Sequence, residues 1–398
     1  MRKRKAIFAL MLVLFIDGLG QGIIFPILTQ TLTDIHSTIL LHHASQSLRD
    51  TWYGILVGAY YVMWFLGAIV LGEWSDSVGR KKALLFCLFL AALSFVLSAV
   101  AFEIGSLEIL LLSRLLGGIT CGDQAIAQAS VVDLCEPEKK PICLGWVMFS
   151  ITLGLIVGPL IAASLQNHEW VSWFNIKTPF YFSGLLAIIN FILVSLFFEE
   201  TRAIKQAIKP QWTKAIHIFI QAFHYAPVRR LLTAYIFIQL GWTMFYIFTP
   251  NFIQQKYQVS TLNIGGFMAL IGFCIGMGLG ILPRFFQKYS YHKITRVGYI
   301  TIALAYLVFI FSHQILLLWI AVIPATALVG LAFANVSSLF SEKVNVDRQG
   351  WIMGVVGSVG ALTAAINSFS LNFLSSFGLQ GPYVYAFITT VLGLIILK

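Results

Sequence analysis

The chain has 398 residues, of which 59% are hydrophobic and 11% are charged, and its mean hydropathy is +0.86. Soluble domains carry about 25% charged and roughly 45–50% apolar residues. Composition therefore excludes a soluble enzyme, a disordered protein and a secreted disulfide scaffold. The net charge of +10 lies in short basic stretches between long apolar runs, a pattern typical of membrane proteins and not of nucleic-acid-binding domains.

Twelve apolar runs are long enough to cross a membrane as helices, which takes about 20 residues each. Closed barrels instead show alternating segments of about ten residues, so the chain is predicted to be an all-α membrane protein. The first run contains Asp17 and Pro26 and is predicted to be a retained helix and not a signal peptide. The predicted spans cover about 6–30, 52–72, 83–102, 106–133, 142–165, 178–198, 230–252, 263–286, 296–312, 315–340, 350–374 and 382–397.

The basic residues predict the orientation of these spans. With the N-terminus inside, 22 of the 26 lysines and arginines lie on the cytoplasmic side, whereas Arg49, Lys177 and Lys256 lie outside and Arg114 lies within span 4. Cytoplasmic loops of membrane proteins carry this excess of basic residues. Both termini are therefore predicted to be cytoplasmic.

A polar interval at about 199–229 separates six spans from six. We therefore expect two six-helix bundles, at 1–200 and 230–398, joined by a cytoplasmic linker at 201–229. Within this linker, Trp212–Tyr225 (WTKAIHIFIQAFHY) has apolar residues at helical spacing. It fits either an amphipathic helix on the membrane surface or an ordinary linker.

The loop between spans 2 and 3 carries the sharpest motif, Gly72–Lys82 (GEWSDSVGRKK). Gly79 permits a tight turn, and the basic residues Arg80–Lys82 hold the loop at the cytoplasmic face. Asp76 can form a charge-assisted bond to Arg80 or to a helix end. The motif resembles, at every principal position, the signature G-x-x-x-D-x-x-G-R-[KR] of the major facilitator superfamily.

Other segments resemble the same superfamily. Arg114–Gly118 (RLLGG) is similar to its buried-arginine motif. Gly154, Gly158 and Pro159 are similar to its antiporter motif G-x-x-x-G-P, although Ala162-Ala163 replaces the closing glycine pair. Four further segments resemble the tetracycline-antiporter branch of drug:proton antiporters: residues 17–26 (DGLGQGIIFP), 114–133, 199–201 (EET) and 347–350 (DRQG).

The resemblance implies the major facilitator fold and a proton-driven exporter of small organic molecules that works by rocker-switch alternating access. We expect no cofactor or metal and no nucleic acid, and a monomer in a bacterial inner membrane whose partners are the substrate, protons and lipid. The resemblance also implies a cytoplasmic latch. Its residues are Asp76, Arg80 and Asp133, the motif glycines Gly72 and Gly79, and Arg348 as a partner from the second half.

Charged residues inside the membrane are the candidates for proton coupling: Asp17, Arg114 and Asp123. Each costs about 2.5–3.5 kcal/mol at a helix centre, so each is expected to face protein or water. A carboxyl group can carry a proton, whereas arginine stays protonated. Asp17 is therefore either a proton carrier or a structural hydrogen-bonding residue.

Depth relates these residues to one another. Asp17 and Asp123 both lie roughly 15–17 Å from the cytoplasmic end of their helices and could form a carboxylate pair. Arg114 is nine residues before Asp123 and faces the opposite side of a straight helix, unless span 4 bends at Gly117-Gly118 or Gly122. Asp123 is therefore either a coupling or substrate residue, or a buried acid paired elsewhere.

The second half has no ionisable residue at mid-membrane and is expected to supply a polar and aromatic cavity wall. The predicted substrate cavity contains Gln21, Gln124, Gln239, Trp242, Tyr246 and Asn335. Gly154 and Gly158 are expected to approach glycines of span 8, because small residues let helices pack closely. The alternative is that the aromatic residues pack between helices or face lipid.

The remaining features limit the other classes of function. Five cysteines without a CxxC pair predict small core residues, with no metal or redox framework; they are Cys87, Cys121, Cys135, Cys143 and Cys274. The spans hold no catalytic constellation and the chain has no P-loop, so we expect neither an enzyme nor a nucleotide-driven pump. A proton-coupled importer of a nutrient or siderophore is the alternative to an exporter.

Overall fold

A computed structural model describes residues 2–33, 44–136, 140–201, 219–286, 288–345 and 349–397. Within these ranges all regular secondary structure is helical, and eleven helices are long and apolar enough to cross a membrane. The predicted all-α membrane fold is confirmed. The helices are α1 (Arg2–Leu28), α2 (Gln46–Val78), α3 (Arg80–Ile104), α4 (Leu107–Leu134), α5 (Lys140–Leu165), α6 (Thr178–Phe197), α7 (Ala226–Tyr257), α8 (Thr261–Gly280), α9 (Tyr291–Phe311), α10 (Ile315–Ser341), α11 (Gln349–Ser375) and the shorter α12 (Gly381–Ile396).

Local sequence signals set several helix ends. Ser106, Ser260 and Ser290 each precede a helix, and each hydroxyl accepts a backbone N–H from three residues further on. Such caps satisfy amides that have no partner within the helix. Span 8 was predicted to reach residue 286, but α8 ends at Gly280 and a separate turn forms at Pro283–Phe286, because proline lacks the amide hydrogen that would continue the helix.

The chain divides into two compact units by its internal contacts. One unit contains α1, α2 from Ala59 onward, and α3 to α6. The other contains Ala44–Gly58, at the start of α2, together with α7 to α12. The domain bounds 1–200, 201–229 and 230–398 stay predictions. Most of the linker, including Trp212 and His217 of the predicted amphipathic helix, lies outside the described residues.

Glycines determine how α1 and α5 pack in the first unit. A Cβ on Gly158 would lie 2.6 Å from the Leu19 carbonyl oxygen, and one on Gly22 would lie 2.6 Å from Cδ of Pro159. A Cβ on Gly154 would overlap the Phe15 carbonyl oxygen. The glycines predicted to approach span 8 are therefore buried against α1, because only residues without a Cβ allow this backbone separation.

The cysteines differ in part from the prediction. Cys87, Cys121 and Cys274 are free and buried, like small core residues. Cys135 and Cys143 form a disulfide between the end of α4 and the start of α5. The prediction that all five cysteines are small core residues without a redox framework is therefore wrong for this pair. Their separation of eight residues matches no known motif and did not indicate a disulfide.

Candidate functional site

Asp17 lies on a part of α1 that close packing holds on two sides. Gly18 lies next to it in the chain, and a Cβ there would overlap the Ile151 carbonyl oxygen of α5. Gly20 packs against α3, where a Cβ would lie 3.0 Å from the Phe95 ring. These contacts fix the rotation of α1 about its axis, and they leave the Asp17 side chain buried at 7% exposure.

The helix α4 is interrupted between Arg114 and Asp123. Its two parts are Leu107–Thr120 and Asp123–Leu134, and the Gly122 amide bonds to the Ile119 carbonyl, three residues back. A Cβ on Gly122 would lie 2.5 Å from the Gly67 carbonyl oxygen of α2. The interruption therefore falls where α4 approaches the α2 backbone, at one of the glycines that the sequence suggested as bending points.

The structure brings Asp17 and Asp123 together. Their carboxyl groups face each other at hydrogen-bonding range, and the Gln124 side chain lies against Asp17. Asp123 is 1% exposed, and one oxygen of each carboxyl, Oδ2 of Asp17 and Oδ1 of Asp123, is buried without a hydrogen-bond partner. Two facing carboxylates cannot both be charged in a medium of low dielectric constant. The arrangement therefore favours a pair that shares one proton.

A small cavity of about 20 Å³ lies beside this pair. Asp17 of α1, Tyr60 of α2 and Arg114 of α4 contribute to its wall. A water molecule needs about 10–15 Å³ of such volume, so the cavity has room for one or two waters. It is suited to carrying a proton to Asp17 and is too small for a drug-sized molecule.

Arg114 is fixed by hydroxyl groups. Its Nη2 donates to Oγ of Ser98 on α3 at 2.7 Å, and Ser98 in turn bonds to Ser113 at 3.0 Å. Among the described residues no carboxylate forms a salt bridge with Arg114. The guanidinium therefore remains positively charged beside the cavity, and it donates hydrogen bonds to the neutral hydroxyls of Ser98 and Ser113. Arg114 and Asp17 line the same cavity, whereas Asp123 contacts Asp17 from another side.

A second group of charged residues lies where α3 begins. Nη2 of Arg80 lies 3.3 Å from Oδ2 of Asp133, near the end of α4. Oε1 of Glu200 accepts the Arg80 amide at 3.0 Å, and Oε2 accepts the Lys81 amide at 3.1 Å. The amides at a helix N-terminus are positively polarised and otherwise unpaired. Glu200 therefore caps α3 from the segment that follows α6.

Gly79 is required by this cap. Its φ is +99° and its ψ is 147°, a backbone conformation that essentially only glycine adopts. A Cβ would also overlap the Glu200 carboxylate. Gly72 of the same motif has no such restriction, because a Cβ there would meet nothing within 4 Å in the described part of the chain.

Replacing Gly79 with alanine should lower the free energy of unfolding by about 1–3 kcal/mol, because the residue is forced into a disfavoured conformation. Gly72→Ala is the matched control and should leave it unchanged or slightly raised, since alanine is the better helix former. Thermal unfolding of both purified variants measures the difference. Equal unfolding temperatures for the two variants would contradict this account of the motif.

The other predicted latch residues are only partly placed. Asp76 lies in the last turn of α2, but the ion pair formed by Arg80 is to Asp133. Nε and Nη1 of Arg80 are buried without hydrogen-bond partners, so the guanidinium has unused donors. Arg348 lies outside the described residues.

The predicted cavity residues of the second half lie mainly on α7. Gln239 donates to the Tyr235 hydroxyl at 2.9 Å, and the rings of Trp242 and Tyr246 stack with centroids 6.1 Å apart. On α10, Asn335 donates to the Leu331 carbonyl of its own helix. These side chains are largely engaged in packing within the second unit. In the first unit, Gln21 is buried one turn after Asp17.

Sequence reasoning missed several residues of the site. The Tyr60 hydroxyl lies 2.7 Å from Sγ of Cys121 at the cavity wall. Ser94 and Ser98 lie four residues apart on one face of α3, and this spacing was the signal that a polar side chain packs there. Glu200 was noticed only as part of a resemblance, and nothing in its local sequence indicated a cap on α3.

The comparisons agree with this fold. The family model of the Major Facilitator Superfamily matches residues 10–368 of this chain. The tetracycline resistance protein of class B from Escherichia coli is 27% identical over 376 residues, which cover 89% of this chain and 85% of that protein. Multidrug resistance protein 1 of Bacillus subtilis (strain 168) is 23% identical, with 99% and 96% covered. The human organic anion transporter MFSD10 has the same fold, with a TM-score of 0.73 at 20% identity over 100% of this chain and 99% of that one.

Proposed function

The chain belongs to the Major Facilitator Superfamily, and from this premise we propose that it is a proton-coupled antiporter that exports a small organic compound by rocker-switch alternating access. Its family and fold are those of transporters and not of enzymes, and its apolar helices make it a multi-pass membrane protein. The relatives named as tetracycline and multidrug resistance proteins motivate a drug-like substrate.

The observation that carries the proposal is the pair formed by Asp17 and Asp123 beside a water-sized cavity. A buried pair of carboxyl groups can take up one proton and release it with little rearrangement of the helices. The positive charge of Arg114, held by Ser98, lines the same cavity as Asp17 and attracts a carboxylate there. Antiport follows if the pair releases its proton when substrate binds and regains it from the outside.

The substrate requires more space than this cavity offers. We assign its binding to the predicted cavity residues. In the first unit these are Gln21 and Gln124, near the acids, and the remaining four belong to the second unit. These are Gln239, Trp242, Tyr246 and Asn335. Aromatic and amide side chains of this kind suit an amphipathic or aromatic compound.

The charged residues at the start of α3 are proposed as the cytoplasmic latch. The Arg80–Asp133 pair and the Glu200 cap hold the ends of α3, α4 and α6 together, with Asp76 and Arg348 as further members. Such a latch favours one conformation of the transport cycle over the other. In the first unit, the antiporter motif (Gly154, Gly158 and Pro159) is proposed to act by packing α5 on α1.

The distribution of basic residues supports cytoplasmic termini, and the bacterial relatives motivate a placement in the bacterial inner membrane. We propose that the protein acts as a monomer. Protons and the exported compound are its proposed partners.

Transport in inverted membrane vesicles tests the proposal. An acid interior should drive accumulation of at least one compound from a panel that includes tetracycline, ethidium and organic anions. Collapse of the pH gradient with a protonophore should abolish this accumulation. Accumulation that is insensitive to the protonophore would overturn proton coupling, and vesicles from cells without the protein serve as the control.

A proton-coupled importer is the second candidate. It is favoured by Ala162-Ala163 in place of the closing glycine pair and by the acid at position 123. The same vesicles separate the two functions, because an importer would move its substrate out of the acid interior together with the proton.

A further inference from the structure

A second and larger cavity lies in the second unit, at the ends of α2 and α11 that are predicted to face the outside. Its volume is about 410 Å³, within the range of small-molecule sites, about 300–1,000 Å³. It does not include the Asp17–Asp123 pair. Its wall is formed by Ser47, Asp50 and Thr51 of α2, by Asn372 and Phe373 of α11, and by Ser376 just after α11.

Close packing within the second unit builds this cavity. The Tyr53 hydroxyl donates to the Ile247 carbonyl of α7 at 2.8 Å. A Cβ on Gly54 would overlap the Ser368 carbonyl oxygen of α11, and one on Gly58 would lie 2.8 Å from the ring of Phe369. Glycine at both positions lets α2 approach α11. The cavity is therefore held by rigid helices.

Asp50 is the charged residue of this wall, and it is only 6% exposed. Its Oδ1 accepts the side-chain amide of Gln46 at 3.0 Å and those of Asn251 and Gln255 at 3.4 Å each. All these donors are neutral, and in the part of the chain that the structure describes no basic side chain forms a salt bridge with Asp50. Nε of the neighbouring Arg49 donates to the Ala44 carbonyl.

These amide donors bond to the Asp50 carboxylate but carry no positive charge to compensate it. A buried charge of this kind is normally paired, because removing it from water is costly. A cation that enters the cavity would supply this partner.

The rest of the wall indicates which cation. The rings of Phe369 and Phe373 and the hydroxyls of Ser47 and Ser376 line the same space as Asp50. A divalent metal ion such as Ca²⁺ would need several carboxylate or carbonyl oxygens as ligands, whereas the wall of this cavity has one carboxylate. Aromatic rings beside a carboxylate are the usual surroundings of organic ammonium groups.

We propose that the cavity around Asp50 binds an organic ammonium cation, with the carboxylate of Asp50 opposite the charge and Phe369 and Phe373 against its alkyl groups. The hydroxyls of Ser47 and Ser376, which donate to Asn372 and to the Phe373 carbonyl, would accept a hydrogen bond from a polar substituent. The site is independent of proton coupling at Asp17. Free ammonium compounds and the ammonium headgroups of lipids share this chemistry.

Calorimetric titration of the full chain in nanodiscs of phosphatidylglycerol tests the proposal. The probes are choline and its uncharged isostere 3,3-dimethylbutan-1-ol, which has the same shape without the charge. Choline should bind and the alcohol should not. Asp50→Asn should weaken choline binding by about tenfold or more, the size expected for losing a hydrogen-bonded charge, while asparagine keeps an oxygen for the three amide donors.

Glu169→Gln removes an exposed acid elsewhere and should leave choline binding unchanged. If Asp50→Asn does not fold, Asp50→Glu and Phe373→Leu provide the test; the first should retain binding and the second should weaken it about two- to fivefold. Equal binding of choline and the alcohol, or unchanged binding in either weakened variant, would overturn the proposal. In phosphatidylcholine nanodiscs, weaker binding of free choline would identify the lipid headgroup as the occupant, and unchanged binding would identify a soluble cation.

Discussion

Replacing Asp17 with asparagine should abolish accumulation driven by a pH gradient. A difference of about two pH units stores about 2.7 kcal/mol per proton, enough for about a 100-fold concentration ratio in one-for-one exchange. Without Asp17 the remaining acid has no carboxyl partner with which to share a proton. The accumulation ratio in inverted vesicles should therefore fall to about one.

Exchange without a gradient separates lost coupling from lost folding. Asp17→Asn vesicles should still exchange labelled for unlabelled substrate, because asparagine is isosteric and the helix packing at Gly18 and Gly20 is unchanged. Glu103→Gln, which removes an exposed acid of the same unit, should behave as the unaltered protein in both assays. Retained accumulation in Asp17→Asn would exclude Asp17 as the proton-carrying residue.

Replacing Gly154 with valine should destabilise the first unit strongly. The new side chain would overlap the Phe15 carbonyl and lie against the α1 backbone, where the Leu19 nitrogen would be 2.7 Å from the Cβ. Overpacking typically costs about 1–3 kcal/mol, and more where backbone is the obstacle. The unfolding temperature in detergent and the yield in the membrane should both decrease.

Gly145→Val is the matched control for this change. It lies in the same helix, and a Cβ there would meet nothing within 4 Å in the described residues. It should retain the unfolding temperature of the unaltered protein. If both variants unfold at the same lowered temperature, the loss of stability would come from valine in the helix itself and not from the contact between α1 and α5.

Much of the fold could be predicted from composition and periodicity. Apolar runs predicted the eleven membrane-length helices and the shorter α12 of the described residues, because hydrocarbon thickness sets a minimum length that few soluble segments reach. The equal depth of Asp17 and Asp123 followed from the constant rise of a helix. The sequence therefore predicted that these two carboxyl groups could pair, and the structure brings them together.

Contacts between distant segments could not be predicted in the same way. Glu200 caps a helix 120 residues earlier in the chain, and Asp50 meets amides of α7 about 200 residues later. The partners in such contacts depend on how helices are rotated, which hydropathy does not specify. The sequence offers three glycines at which α4 could bend, Gly117, Gly118 and Gly122, and hydropathy does not specify which of them lies at the interruption.

Proton release on substrate binding tests the central claim most directly. The purified protein is placed in weakly buffered detergent with a pH indicator, and tetracycline, or the panel compound that vesicles accumulate most strongly, is added. The account predicts that binding releases up to one proton per protein, and that Asp17→Asn binds the compound without releasing a proton. Binding without proton release by the unaltered protein, or equal release by Asp17→Asn, would contradict the shared-proton pair.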